Sequence, residues 1–239
     1  MGNPVTLRRP FFEIGPKVYL YGQRALELAL EADRVGARYG VDIIFTAQYM
    51  DIAPIAAATR HLHVFAQHMD PVVPGRGVGA VLPEALVDAG AAGVLLNHAE
   101  KPLTLDVLAA SIRRAREVGL MTLVCAGDSE ESAAVACLGA DIVLAESPLL
   151  IGKGQRGPQD IAEIKKINTA VHQINRSALV LHGAGIKDQR DVYEIIRAGA
   201  DATGSTSGIL QAEDPFDMLD KMIASVAQAW QERANSEEK

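Results

Sequence analysis

The sequence predicts an α/β chain folded as a (β/α)8 barrel, and three observations carry that expectation. Short apolar and β-branched runs alternate with longer amphipathic ones about eight times, no linker interrupts the alternation, and several of the longer runs stop at a glycine. Eight βα units in 239 residues give about 30 residues each, close to the roughly 250 residues usual for this architecture. The short runs are continuously apolar, as parallel strands covered on both faces must be. A doubly wound open sheet fits less well, because no G-x-G-x-x-G follows the first strand and such sheets usually carry five or six strands.

The elements follow in order. A first strand at 11–17 precedes an amphipathic helix at 23–39, and two apolar strands follow at 42–46 and 64–67 with no helix assigned between them. A helix at 83–89 leads to a strand at 93–97 and then to a helix at 105–118, which Gly119 stops by supplying a left-handed residue. The strand at 121–125 feeds a helix at 130–138 closed by Gly139, and the strand at 142–145 feeds a helix at 158–174. The last units pair a strand at 179–182 with a helix at 189–198 closed by Gly199, and a strand at 202–204 with a helix at 215–232. All 239 residues are expected to form one barrel domain, with residues 1–10 as an extension and 233–239 as a frayed tail.

Half of the chain is apolar (49%) and 22% is charged, so a substantial core is available and disorder is excluded. The 23 basic and 30 acidic side chains leave a net charge of −7 with no Lys/Arg cluster, which argues against nucleic acid as a partner. Cys125 and Cys137 lack metal or disulfide spacing and fit a reducing cytosol as core residues. No signal-type stretch opens the chain, and no apolar run approaches a membrane span, so a cytoplasmic protein with no membrane partner is expected. The six histidines, at 61, 63, 68, 98, 172 and 182, show no metal-ligand spacing. Neither a metal nor a cofactor is expected.

In such a barrel the reactive groups stand just past the C-terminal ends of the strands. Glycine-rich turns occupy three of these places, at Gly152-Lys153-Gly154, Gly183-Ala184-Gly185 and Gly204-Ser205-Thr206-Ser207-Gly208, and backbone amides without a Cβ in the way suit a phosphate. Glu146 follows the sixth strand, His98 the fourth and Lys17 the first. Each alone reads equally as a salt-bridge partner, a structural histidine and a solvated cation. Together at one rim they have complementary roles: Glu146 as a base beside a carbonyl, His98 as hydrogen-bond donor to the carbonyl oxygen, and Lys17 as stabiliser of an enediolate. The implied reaction is a proton shift between adjacent carbons of a small phosphorylated sugar.

A collinear set of segments, Phe65-Ala66-Gln67-His68-Met69-Asp70-Pro71, Val81-Leu82-Pro83-Glu84-Ala85, Leu95-Leu96-Asn97-His98-Ala99-Glu100, residues 118–125 and Gly183-Ala184-Gly185-Ile186, resembles the short, archaeal-type triosephosphate isomerases. The resemblance implies a TIM barrel, an aldose–ketose isomerase with Glu146 as base, His98 as a neutral electrophile and Lys17 as the electrostatic residue. It further implies that Gly15, Ile151, Gly152, Gly185, Thr206 and Ser207 surround the substrate, that the segment 146–154 is a lid, and that the protein is a homodimer or homotetramer joined through the loop at 70–79.

Three positions depart from the family pattern. Gly15 replaces the asparagine of Asn-x-Lys, Lys153 stands at the lid tip, and Thr206 replaces an alanine. The missing asparagine is expected to leave space beside the reacting carbons, so a four-carbon erythrulose phosphate stands as an alternative to dihydroxyacetone phosphate. A non-catalytic sugar-phosphate-binding barrel and a biosynthetic phosphate-binding barrel are further alternatives.

Overall fold

The computed structural model describes residues 6–146 and 158–237. Eight parallel strands close in sequence order: β1 (Phe11–Ile14), β2 (Asp42–Ala47), β3 (Leu62–Ala66), β4 (Gly93–Leu96), β5 (Met121–Ala126), β6 (Ile142–Ala145), β7 (Leu179–His182) and β8 (Ala202–Gly204). Closure comes from the β1–β8 ladder, in which Glu13 pairs with Gly204. Around the barrel run α1 (Gln23–Tyr39), α2 (Tyr49–Ala58), α3 (Pro83–Asp88), α4 (Leu105–Val118), α5 (Ser129–Cys137), α6 (Pro158–Ile174), α7 (Gln189–Arg197), the short α8 (Ser207–Leu210) and α9 (Pro215–Glu237). The predicted α/β barrel is the observed fold.

Strand alternation divides the apolar residues into two cores. Phe11, Ile44, Phe65, Leu123, Ile142 and Leu181 fill the barrel, whereas Phe12, Ile14, Ile43 and Phe45 pack outward against helices. The inward parity is what matters for the site. On β1 it runs through Phe11 to the next odd residues, 13 and 15, so their positions face the barrel mouth.

The predicted boundaries shift where local chemistry intervenes. β1 ends at Ile14, three residues before the expected end, because Pro16 has no N–H for a ladder and Lys17 sits at φ 50°. β4 ends at Leu96 because Asn97 turns to φ 59°. α2 was not expected from the pattern. Its sequence YMDIAPIAAA is apolar nearly all round and contains Pro54, so no amphipathic period marks it, yet Ile52 and Ile55 bury against the barrel. α5 begins one residue before the predicted start, capped by Asp128, whose carboxylate accepts from the Glu131 amide at 2.8 Å. Gly40 and Gly119 close α1 and α4 with φ of 67° and 84°.

Side-chain bonds hold the described segments at the start and end of the barrel. Arg8 donates to Asp42 at 2.6 Å and Arg9 to Asp201 at 3.1 Å, pinning residues 8 and 9 beneath the barrel. α9 continues to Glu237, past the expected helix end at 232. Arg233 donates to the carbonyls of Ile196 and Ala200 at 2.7 and 2.8 Å, with its guanidinium 4.1 Å from the Trp230 ring centroid.

Candidate active site

The C-terminal ends of the strands surround two adjoining cavities that share Glu13, Lys17, Leu144, Glu146 and Thr206. The first, of about 230 Å³, also takes in Gly15, Thr46, Gln67, His98 and Glu100. The second is bounded by the turns Gly183-Ala184-Gly185-Ile186 and Gly204-Ser205-Thr206-Ser207. Lys17, His98 and Glu146, on the loops after β1, β4 and β6, are therefore brought into one site. A larger cavity of about 320 Å³ lies outside the mouth, between Leu28, Leu210 and Phe216. It holds none of these three.

His98 and Glu146 face each other, Nε2 to Oε2, at 3.4 Å, and both side chains are largely buried. On the other side of the ring, Nδ1 accepts the Glu100 amide at 3.1 Å. An accepting Nδ1 carries no proton, so the ring's proton is on Nε2 and points at Glu146. The turn that achieves this is strained: Asn97, at φ 59°, anchors it by donating to the Cys125 carbonyl at 3.1 Å and accepting from the Leu103 amide at 2.9 Å. Glu146 is held by extension of the β5–β6 ladder, its amide donating to the Ala126 carbonyl at 2.9 Å.

Lys17 is the second non-glycine residue at positive φ, and Gln67 secures it by donating to its carbonyl at 2.8 Å. Its ammonium lies 2.7 Å from Glu100, which holds that carboxyl below its usual range. The third such residue, Ala184 at φ 61°, sits next to Gly185 at φ 67° in the glycine turn. Among the described residues, all three left-handed non-glycine residues stand at the mouth, where backbone strain of about 1–3 kcal/mol each is tolerated because the surrounding bonds fix it.

Of the residues expected to surround a substrate, Gly15, Gly185, Thr206 and Ser207 line the cavities. Thr206 spends its hydroxyl on the Gly15 carbonyl at 2.6 Å, clasping the ends of β8 and β1 together. Ser205 ties the β8 turn to the β7 turn through the Ile186 carbonyl at 3.1 Å. Ile151 and Gly152, and with them most of the expected lid, lie outside the described residues. Among the described residues no group of three or more His, Cys, Asp or Glu side chains could hold a metal, and no helix is long and apolar enough to cross a membrane.

The expectation of empty space at Gly15 is overturned. A Cβ there would lie 2.7 Å from Oε1 of Glu13, so the carboxyl group of Glu13 already occupies the place. Glu13 accepts from the Thr46 hydroxyl at 2.6 Å. Burial pushes its carboxyl up to about 7; the Thr46 bond opposes the rise, the charge of Glu146 adds to it, and His98 and Lys17 oppose it. Glu13, Thr46 and Glu100 are site residues that the sequence reading did not single out. The available signal was an acidic residue at inward parity in an otherwise apolar strand.

The geometry can be set beside known proteins. The sequence profile of the triosephosphate isomerase family matches residues 16–224, beginning two residues past β1. A triosephosphate isomerase of Sulfolobus acidocaldarius is 35% identical over 231 residues, covering 95% of this chain and 99% of the relative. One of Methanobacterium bryantii is 37% identical over 220 residues, 91% of this chain and 97% of the relative. One of Methanosarcina barkeri is 37% identical over 217 residues, 90% and 97%. A match that spans every strand from β2 to β8, on a closed barrel with a glutamate and a histidine facing each other at its mouth, leaves one assignment: the chain belongs to the triosephosphate isomerase family.

Proposed function

We propose that this protein is the isomerase that interconverts dihydroxyacetone phosphate and glyceraldehyde 3-phosphate through an enediolate. The observation that carries the reading is the His98–Glu146 pair, with the ring proton fixed on Nε2 by the Glu100 amide. Glu146 removes the proton from the carbon beside the carbonyl, and His98 donates its Nε2 hydrogen bond to the carbonyl oxygen as charge builds there. A neutral imidazole suits that role because it polarises without overshooting into full proton donation. Lys17 supplies positive charge to the substrate and to the enediolate, exchanging its contact with Glu100 for one with the ligand. The turns after β7 and β8 receive the phosphate, with Gly185 and Ser207 among the lining residues. The segment 146–154, which beyond Glu146 lies outside the described residues, completes the reading as the lid, which excludes water and protects the enediolate.

The reason for entertaining a four-carbon substrate was space at Gly15, and Glu13 fills it. We further propose a cytoplasmic homodimer or homotetramer serving glycolysis. The loop after β3 supports the assembly, for Val73 and Val78 stand exposed on it while Asp70 and Val81 close its base with a 3.0 Å hydrogen bond. The decisive experiment follows dihydroxyacetone phosphate with the purified protein in D2O by NMR. Glyceraldehyde 3-phosphate and deuterium at the exchanged carbon are expected. Conversion of an erythrulose phosphate but not of the triose phosphate would overturn the assignment.

A further inference from the structure

β1 carries a single charged side chain among apolar ones, and alternation turns it into the barrel. Phe11, one inward position below Glu13, packs in the barrel interior with Ile44 and Ala202. Glu13 therefore stands in the layer above, at the mouth, where it borders both the cavity of His98 and Glu146 and the glycine-lined cradle. Two glycines make room for it. A Cβ on Gly15 would lie 2.7 Å from Oε1, and one on Gly204 would lie 3.0 Å from Oε2 and 2.5 Å from the Glu13 carbonyl oxygen. Oε1 takes the Thr46 hydroxyl, and among the described residues Oε2 has no hydrogen-bond partner, so Oε2 is the atom offered to a ligand.

Resting on the triose phosphate reading above, we propose that Glu13 is a further substrate-contacting residue of this site, its neutral carboxyl donating a hydrogen bond from Oε2 to a substrate oxygen from the β1 side while His98 reaches the substrate from the β4 side. No proton changes hands in this contact. The donor role follows from charge. The substrate phosphate and the enediolate are both negative, and an ionised Glu13 between them would repel both. The groups that face it are Glu146, whose charge disfavours ionisation, His98 and Lys17, which favour it, the Thr46 hydroxyl, and the buried Cys125 thiol on β5. Burial weighs most, which keeps the acid protonated on the acid side of about 7. A bound dianion raises it further. kcat/KM should accordingly fall above about pH 7 as free-enzyme Glu13 ionises, and the fall in kcat should lie at higher pH.

Glu13→Gln keeps the acceptor for Thr46 and a donor at the other atom but cannot ionise; Glu13→Ala removes the donor. With dihydroxyacetone phosphate between pH 5.5 and 9, Glu13→Gln is expected to hold kcat/KM within about fivefold of wild type at pH 6 and to lack the fall above 7, while Glu13→Ala loses about tenfold or more, the worth of one such hydrogen bond. Both should bind inorganic phosphate within about twofold of wild type. A fall at the same pH in Glu13→Gln, or a Glu13→Ala that matches wild type, overturns the proposal. Should the wild type not isomerise triose phosphates at all, the proposed function fails and calorimetry judges Glu13 alone. Glu13→Ala, or Glu13→Gln above pH 8 relative to wild type if the alanine variant does not fold, must then change affinity for dihydroxyacetone phosphate at least about fivefold with inorganic phosphate unchanged. Equal affinities refute it.

Discussion

Gly15→Asn tests whether positions 13 and 15 compete for one space. Gly15 lies outside the left-handed region, so a side chain brings no backbone penalty there; the penalty is steric. The new Cβ would start 2.7 Å from Oε1 of Glu13 and 3.6 Å from its Cδ. Oε1 is the far end of a flexible side chain, so the carboxyl swings away and gives up the 2.6 Å bond from Thr46. A hydrogen bond between neutral groups is worth about 0.5–1.5 kcal/mol and one to a charged group about 1.5–3. The variant should therefore lose about 1 kcal/mol at pH 6, where Glu13 is neutral, and less at pH 8, where a carboxyl displaced toward the cavity escapes part of the burial that opposes its charge. kcat/KM should fall by about tenfold, since the displaced carboxyl obstructs the cavity shared with Glu146. In Glu13→Ala/Gly15→Asn the obstruction is gone, and the asparagine enters vacated space. Urea unfolding of the four proteins of this cycle should give a favourable coupling of at least about 0.5 kcal/mol. Additivity within that margin would refute a shared space.

Three other outcomes are expected. Glu146→Gln should keep the fold, retain inorganic phosphate binding and lower kcat by about 10² to 10⁴; a variant keeping more than about a tenth of wild-type kcat would exclude Glu146 as the base. Glu13→Gln should match the wild type in stability at pH 4 and exceed it by about 1–3 kcal/mol at pH 8. The sign follows because the folded-state carboxyl is raised from 4.5 to about 7, so wild-type stability is complete below 4.5 and declines as pH rises toward 7; equal urea midpoints at pH 8 would contradict it. Asp42→Asn should cost about 2 kcal/mol at pH 7, because burial opposes the Asp42 charge but His63, 3.9 Å away, and the bonds from Arg8 outweigh it and hold the carboxyl well below its usual range. The difference from wild type should shrink as pH falls below about 4, and a constant difference down to pH 2 would show that the pair is not ionic.

How much of the site was legible depended on where each residue's signal lay. Glu146 follows an apolar run directly, and His98 and Lys17 stand within three residues of one, so strand ends located them without any knowledge of the third dimension. Thr206 was legible as a lining residue, but its hydroxyl bond to Gly15, 191 positions away in the chain, was not. Gly15 was noticed for what it lacks and read as a void, because a single strand does not reveal that a neighbour two positions earlier points into the same space. Glu13 itself lay inside an apolar run that averaging treats as uniform.

The sequence by itself determined the alternation of strands and helices, the stops at glycines such as Gly119, and the set of groups at the strand ends. These are local properties, written in runs of neighbouring residues and in the backbone freedom of single ones. Only tertiary structure decided that α2 is a helix, that Arg233 holds α9 against α7, and that Glu13 replaces a side chain at Gly15. Each depends on a surface supplied from far along the chain: the barrel wall that buries Ile52 and Ile55, the carbonyls of Ile196 and Ala200, and the closure that sets Thr46 and Gly204 on either side of one carboxyl group. Burial and charge at that junction arise from barrel closure, which the order of residues along β1 does not contain.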